Sequence, residues 1–233
     1  TVNSYHDGSA DFADLLSKVA RIDRIQRIRF TSPHPSDFSD KLIETLADED
    51  KVCPFIHLPL QSGSDRVLAA MKRSYSSEHF LRLVDDLRGA VPGLALSTDI
   101  IVGFSGEERR DFDRTLDVVR EVRFDSAFMF KYSTREGTVA DREIPDTVSE
   151  AEKGERLQEL IEIQSAISLE MNRAYLGREV EVLVEGPAKR AGQRSGKTDT
   201  YKTVVFEGEA SANTFVNVLV SRCTQKTLIG EIA

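Results

Sequence analysis

Apolar residues alternate between helical and strand spacings along the first 135 positions of the chain. Phe12, Leu15, Leu16 and Val19 recur at i, i+3, i+4 and i+7, which is one face of a helix. Arg27–Thr31 reads as a strand, Phe38, Leu42, Ile43 and Leu46 as a second helical face, and Phe55–Leu58 as a strand that Pro59 interrupts. Phe80, Leu83, Val84 and Leu87 predict a third helix, with Ser76 or Ser77 as its cap. Leu94–Val102 has the nearly continuous apolar end of a parallel strand buried on both faces. Phe112, Leu116 and Val119 lie on a further helix, and Ser126–Tyr132 reads as the last strand of this region. The order βαβαβα predicts a parallel sheet with right-handed crossovers, either open or curled into a barrel.

Ser149 and Glu152 have the spacing of a capping box. They open a helical pattern through Leu157, Leu160, Ile161, Gln164, Ile167 and Met171 that Gly177 ends. This helix is expected to pack across the sheet and lead out of it. From Arg178 the period changes to two, with Val180, Val182 and Val184, then Phe215, Val216, Val218 and Val220, then Leu228 and Ile232. Short strands without a helix predict a small β-barrel. The chain thus divides into a partial (β/α) barrel over residues 1–149, a connecting helix over 150–176, and an all-β barrel over 177–233.

Composition changes this picture little. The chain is 40% apolar and 30% charged, as globular proteins are. No run approaches the ~18 apolar residues of a membrane helix. Cys53 and Cys223 lack any spacing that holds zinc or an iron–sulfur cluster, so no metal site is expected within this chain. Two thiols suit a reducing cytosol better than a disulfide framework, and Cys53 reads as core filler. The start, Thr1-Val2-Asn3-Ser4-Tyr5, has neither an initiator Met nor a signal-peptide pattern. It reads as the middle of a longer polypeptide; a removed Met is the other reading.

Charge adds more. The net charge is −8, but residues 177–233 carry 8 Lys+Arg against 7 Asp+Glu, or +1, leaving −9 on the rest. Lys189, Arg190, Arg194, Lys197 and Lys202 stand against a single acid, Asp199. A basic hairpin with Gly192 and Gly196 on a β-barrel suits a nucleic-acid backbone, or is a solvated loop.

Polar segments follow each strand of the first region: Ser32-Pro33-His34-Pro35, Gln61-Ser62-Gly63-Ser64, Gly103-Phe104-Ser105-Gly106-Glu107 and Tyr132-Ser133. They mark the C-terminal rim of a parallel barrel, where chemistry is placed, and Asn3-Ser4-Tyr5 fits the rim of an earlier strand. The residues alone leave alternatives. Gly103 and Gly106 make a turn or a ligand loop. Asp99 in an apolar strand needs partners, so it is a hydrogen-bond anchor or a site residue. His34, between prolines, shapes its loop or acts; His57 reads as a satisfied core histidine and Glu107 as a helix cap.

Taken in order, Val2–Tyr5, Ile28–Pro35, His57–Asp65, Thr98–Glu107 and Phe124–Ser126 closely resemble the methylthiotransferase family of radical S-adenosylmethionine (SAM) enzymes. Val182–Pro187 resembles the start of that family's TRAM domain, an RNA-binding β-barrel. The resemblance spans essentially the whole chain. It implies a partial radical SAM barrel followed by a TRAM barrel, and SAM and two 4Fe–4S clusters as cofactors of the parent enzyme. It further implies a deoxyadenosyl radical that abstracts hydrogen from C2 of an adenine, followed by sulfur insertion and methylation by a second SAM. The Ser-Pro-His-Pro turn resembles the branch that acts on isopentenyladenosine at position 37 of tRNA. The branch acting on threonylcarbamoyladenosine shares Gln-Ser-Gly-Ser but usually lacks that turn. The implied partners are the tRNA anticodon loop and an electron donor, in the cytoplasm and without a membrane. By resemblance Gln61, Ser62, Thr98, Asp99, Val102, Phe130 and Tyr132 would line the SAM site, Asn3, Ser32 and His34 would meet SAM or the target base, and Lys189, Arg190, Arg194, Lys197 and Lys202 would meet tRNA. The departure is that the family's Cys-x3-Cys-x2-Cys and its three further N-terminal cysteines do not occur here. This chain alone is therefore not expected to cleave SAM. A non-catalytic RNA-binding module is the first rival. An aldolase-type barrel is the second, and Lys131 is its one plausible Schiff-base lysine.

Overall fold

The computed structural model describes residues 1–31, 33–134 and 144–233. Helix α1 (Phe12–Ala20) is opened by a capping box between Asp11 and Asp14, and α2 (Asp40–Asp48) by the Ser39 hydroxyl, which accepts from Leu42 N–H. Strand β1 (Phe55–His57) is followed by α3 (Asp65–Ala70) and by α4 (Ser77–Ala90), which Ser76 caps. Strand β2 (Ala95–Val102), α5 (Arg109–Val122) and β3 (Ser126–Lys131) complete a parallel sheet in the order β1-β2-β3. Ile56, Leu58, Leu96, Ile100 and Val102 bury its core against Phe80, Leu87, Phe112 and Leu116 of the helices.

Two expectations shift. Residues 27–31 form no strand, only one bridge between Ile28 and Val52. The cause is Pro54: Phe55 N–H closes a three-residue turn onto the Cys53 carbonyl instead of extending the ladder. Glu107 does not cap α5; Glu108 does, in a capping box with Asp111.

Helix α6 (Glu150–Arg173) starts at the predicted box, where Ser149 Oγ accepts from Glu152 N–H. Its buried face carries Lys153, Arg156, Leu160, Gln164, Ile167, Ser168 and Asn172, so it shares Leu160, Gln164 and Ile167 with the predicted pattern and is more polar than that pattern. These polar groups find partners: Lys153 with Asp146 and Glu150, Arg156 with Glu107, Gln164 with the Phe124 carbonyl, and Ser168 with the Asp125 carbonyl. Burial is tolerable because partners replace water.

Strands β4 (Glu179–Pro187), β5 (Gln193–Lys197), β6 (Thr203–Glu207), β7 (Phe215–Cys223) and β8 (Thr227–Ile232) close a barrel in the order β4-β5-β6-β8-β7. Only β6 and β8 pair in parallel. Val182, Val184, Val204, Phe206, Val218, Val220 and Leu228 fill it. The small barrel docks on residues that precede or open the strands of the parallel sheet, namely Arg27, Arg29, Phe55 and Asp125, at the end opposite the rim.

Candidate functional site

The rim holds a cavity of about 240 Å³ lined by His34, His57, Gln61, Arg73, Tyr75 and Asp99, with Pro33, Pro35 and Pro59 between them. Strand alternation puts Asp99 on this side. His57 lies beside it, with Nε2 3.3 Å from Asp99 Oδ2 and Nδ1 2.8 Å from Ser97 Oγ. His57 is therefore satisfied, as expected, but it faces the cavity rather than the core. Phe128 meets the His57 ring edge-on and is 59% exposed; Phe130, on the same face of β3, is 51% exposed.

Beyond Pro59 the chain returns to β2. Gln61 N–H donates to the Asp99 carbonyl, and Ile101 N–H donates to the Gln61 carbonyl. Gln61 holds a left-handed backbone, φ 65°, uncommon for a residue with a side chain. The turn then folds flat onto α5. A Cβ on Gly63 would lie 2.6 Å from the Arg114 carbonyl and the Thr115 Cα, so only glycine fits. Gly63 N–H donates to Thr115 Oγ1, Ser64 Oγ donates to Asp111, and Arg66 pairs with the same carboxylate. Burial pushes the Asp111 carboxyl up, but Arg66, Ser64 and the Glu108 N–H outweigh it and hold it down to about 2.

These contacts sort the expected SAM residues. Gln61 and Asp99 line the cavity, and Phe130 shares its face. Ser62 does not reach it: its hydroxyl is fully buried beside Thr115. Thr98 and Val102 alternate to the helix side, where Thr98 Oγ1 accepts from Leu60 N–H. Tyr132 lies in the rim against Phe104, with a buried hydroxyl that finds no partner among the described residues. Asn3 spends its amide on the His34 backbone, donating to the carbonyl and accepting from the N–H. His34 lines the cavity edge-on to Tyr75, and burial lowers its pKa below the ordinary value. Ser32 lies outside the described residues.

Sequence reasoning missed Arg73 and Tyr75. Arg73 lines the cavity; among the described residues its buried Nε finds no partner and no carboxylate pairs with it. Tyr75 donates to the Pro59 and Leu60 carbonyls, and burial pushes its pKa up to about 12. A basic residue in a loop carries no distinguishing sequence signal, so Arg73 emerges only in three dimensions. The glycine turn that follows β2 is tied down by Glu107, which accepts from Gly103 N–H and pairs with Arg156. A Cβ on Gly103, at φ 70°, would strike Lys153 Cγ at 2.3 Å. Lys131 is exposed and paired with Glu150, which does not suit a buried Schiff-base lysine.

On the small barrel the five cations part company. Lys189 and Arg190 are exposed on the turn between β4 and β5. Arg194 pairs with Glu209 at 3.0 Å. Lys197 donates to Thr203 Oγ1 over the Tyr201 ring, and burial lowers its pKa. Lys202 is buried and paired with Asp125 at 2.6 Å.

No group of three or more His, Cys, Asp or Glu that could hold a metal ion occurs among the described residues, and no helix there is long and apolar enough to cross a membrane. Cys53 is buried, and burial raises its thiol pKa.

Comparison with known proteins agrees with this architecture. Residues 4–119 match the radical SAM superfamily and residues 173–233 the TRAM domain. The chain is 48% identical over 236 aligned residues to a tRNA-2-methylthio-N(6)-dimethylallyladenosine synthase of Chlorobium limicola, covering 100% of this chain and 53% of that protein. It is 47% identical to the protein of the same name from Moorella thermoacetica, covering 99% and 53%. The chain thus spans about half the length of the curated relatives it matches. Coproporphyrinogen III oxidase from Escherichia coli, a radical SAM enzyme, shares the fold at 16% identity and a TM-score of 0.50, over 71% of this chain and 45% of that one. The chain thus carries a radical SAM domain followed by a TRAM domain and is similar along its whole length, at near 47% identity, to about half of these methylthio synthases.

Proposed function

We propose that the chain is the SAM-holding and RNA-holding part of an enzyme that installs a methylthio group at C2 of N6-isopentenyladenosine at position 37 of tRNA. The observation that carries this reading is the charge arrangement of the rim cavity, where Arg73, without a carboxylate partner among the described residues, shares walls with Asp99. One cation and one anion in a single cavity suit the carboxylate and ammonium of an amino-acid end such as that of SAM. Gln61 offers an amide to the ribose, and the open faces of Phe128 and Phe130 offer surface to an aromatic base. Bound SAM, together with a reduced 4Fe–4S cluster, supplies the radical that activates the C2–H bond. The chain's own residues orient the two reactants and exclude water.

Cys53 and Cys223 do not fit a cluster site. We assign both clusters, one for SAM and one for sulfur, to the portion of the longer relatives that this chain does not cover. The anticodon loop is single-stranded, so its adenine can be splayed out and read on its edges. Lys189 and Arg190 grip the backbone, an electron donor is the remaining partner, and the cytoplasm is the compartment. The working division is a barrel over 1–149, a connector over 150–176 and an RNA-binding barrel over 177–233.

The test uses the full-length protein, reconstituted anaerobically with iron and sulfide and given tRNA bearing either isopentenyladenosine or threonylcarbamoyladenosine. Mass spectrometry of the nucleosides is expected to show methylthiolation of the first alone. Product from the second alone overturns the branch, and product from neither overturns the activity.

A further inference from the structure

Three contacts join the small barrel to the base of the parallel sheet, and in each a charged side chain of one meets a partner on the other. Lys202 Nζ lies 2.6 Å from Asp125 Oδ1, with both side chains 8% exposed. The other oxygen, Asp125 Oδ2, accepts from Leu96 N–H at 3.0 Å, and Asp125 N–H donates to the Leu96 carbonyl at 2.8 Å. Arg27 donates to the Lys197 carbonyl, pairs with Glu181 at 2.7 Å and lies over the Phe215 ring. Arg29 donates to the Thr198 carbonyl beside Tyr201, whose ring packs on Phe55 at 4.9 Å between centroids. Tyr201 holds φ 64°, an outlier for a bulky side chain that persists only where surroundings hold it.

Helix α6 spans the same two ends. Near its start Arg156 holds Glu107 of the rim turn. Near its end Ser168 donates to the Asp125 carbonyl, and Asn172 donates to the Thr224 carbonyl of the small barrel. Strands β2 and β3 leave the Asp125–Leu96 lock and end at the rim. From Asp125 to Tyr132 an extended strand covers ~23 Å at ~3.3 Å per residue.

We infer that these contacts make the two barrels one body, in which Lys202, Arg27 and Asp125 are positioning residues that fix the distance between the RNA-gripping turn at Lys189–Arg190 and the rim cavity. Lys202 is then not a phosphate ligand. A phosphate would have to displace a buried carboxylate and leave it unpaired, which is strongly unfavourable. The consequence for the reaction rests on the proposed RNA reading; the clamp itself does not.

The test compares Lys202→Met, Lys202→Arg and Tyr201→Asn with the parent chain. Asn tolerates the left-handed backbone, so Tyr201→Asn removes the ring, with its stack on Phe55 and its contacts to Arg29 and Lys197, without straining the backbone. Two readouts are taken: hydrogen exchange at Leu96 and Ala95, and a salt titration of tRNA affinity. Lys202→Met is expected to speed Leu96 exchange at least tenfold, Lys202→Arg to restore most of the protection, and Tyr201→Asn to speed exchange at Ala95. The salt slope is expected to match the parent in all three. A slope lower by about one unit in Lys202→Met, with exchange unchanged, would make Lys202 a phosphate contact and overturn the inference. Unchanged exchange in both Lys202→Met and Tyr201→Asn would overturn the clamp. If Lys202→Met does not fold, Tyr201→Asn decides. If the parent chain binds no tRNA, the RNA reading falls while exchange still decides the clamp.

Discussion

The two ends of the parallel sheet differ in how their polar groups are settled. At the base, Lys202 and Asp125 saturate each other, and Arg27 meets a carbonyl, a carboxylate and a ring. At the rim, Arg73 leaves Nε unmatched, Tyr132 leaves a buried hydroxyl unmatched among the described residues, and two phenylalanines stand half open. The contrast is not absolute, since Arg29 at the base also has an unmatched Nε, but its guanidinium is spent on the Thr198 carbonyl. Charges that are finished within the fold hold the fold; charges left unfinished around a cavity mark where a ligand completes them.

The largest expected effect breaks the finished end. Asp125→Ala strands a buried lysine and frees the Leu96 N–H, and should cost about 3–5 kcal/mol in denaturant unfolding. Loss below 1 kcal/mol would mean that the base is not built on this pair. Gly63→Ala forces a Cβ onto the α5 backbone and should cost up to about 3 kcal/mol, with the cavity side deformed as well. Asp111 gives a pH signature. Its folded pKa of about 2 lies below the 3.8 of an ordinary aspartate. Its contribution is thus complete above pH 3.8 and lost as pH falls through 2. That is about 2 kcal/mol of acid-dependent stability, absent in Asp111→Asn. The smallest effect on stability belongs to Lys189→Ala with Arg190→Ala. The pair should leave the unfolding midpoint unchanged yet lower the salt slope of tRNA binding by about two units. An unchanged slope would place the RNA surface elsewhere.

Much of this architecture is legible in the sequence, and the failures share a cause. The capping box at Ser149, the Ser76 cap and the period-two stretch of the small barrel are local signals, and local signals survive folding. Period two along β2 also tells that Thr98 and Val102 face away from Asp99; grouping them as one wall follows the motif rather than the pleat. Gln164 falls in the predicted face of α6, but Lys153 and Arg156 are hidden because lysine and arginine on a helix normally point to water. The partners of Lys153, Arg156 and Gln164, namely Asp146, Glu107 and the Phe124 carbonyl, lie 7, 49 and 40 residues away along the chain. Lys202 looks like part of a basic hairpin until Asp125 arrives from the other domain. Arg73 is the inverse: it carries no motif and gains meaning only from the cavity it enters.

The most direct measurement of the account is SAM affinity of the full-length, cluster-loaded protein, by equilibrium binding, with Arg73→Gln and Asp99→Asn beside the parent. Among the described residues Arg73 has no carboxylate partner, and the one ionisable side chain beside Asp99 is His57 at 3.3 Å, a contact Asn can keep. Both variants should therefore keep the parent's unfolding midpoint while binding SAM at least tenfold more weakly, a loss of about 1.4 kcal/mol or more. Parent-like SAM affinity in both variants would contradict the assignment of the rim cavity as the SAM site.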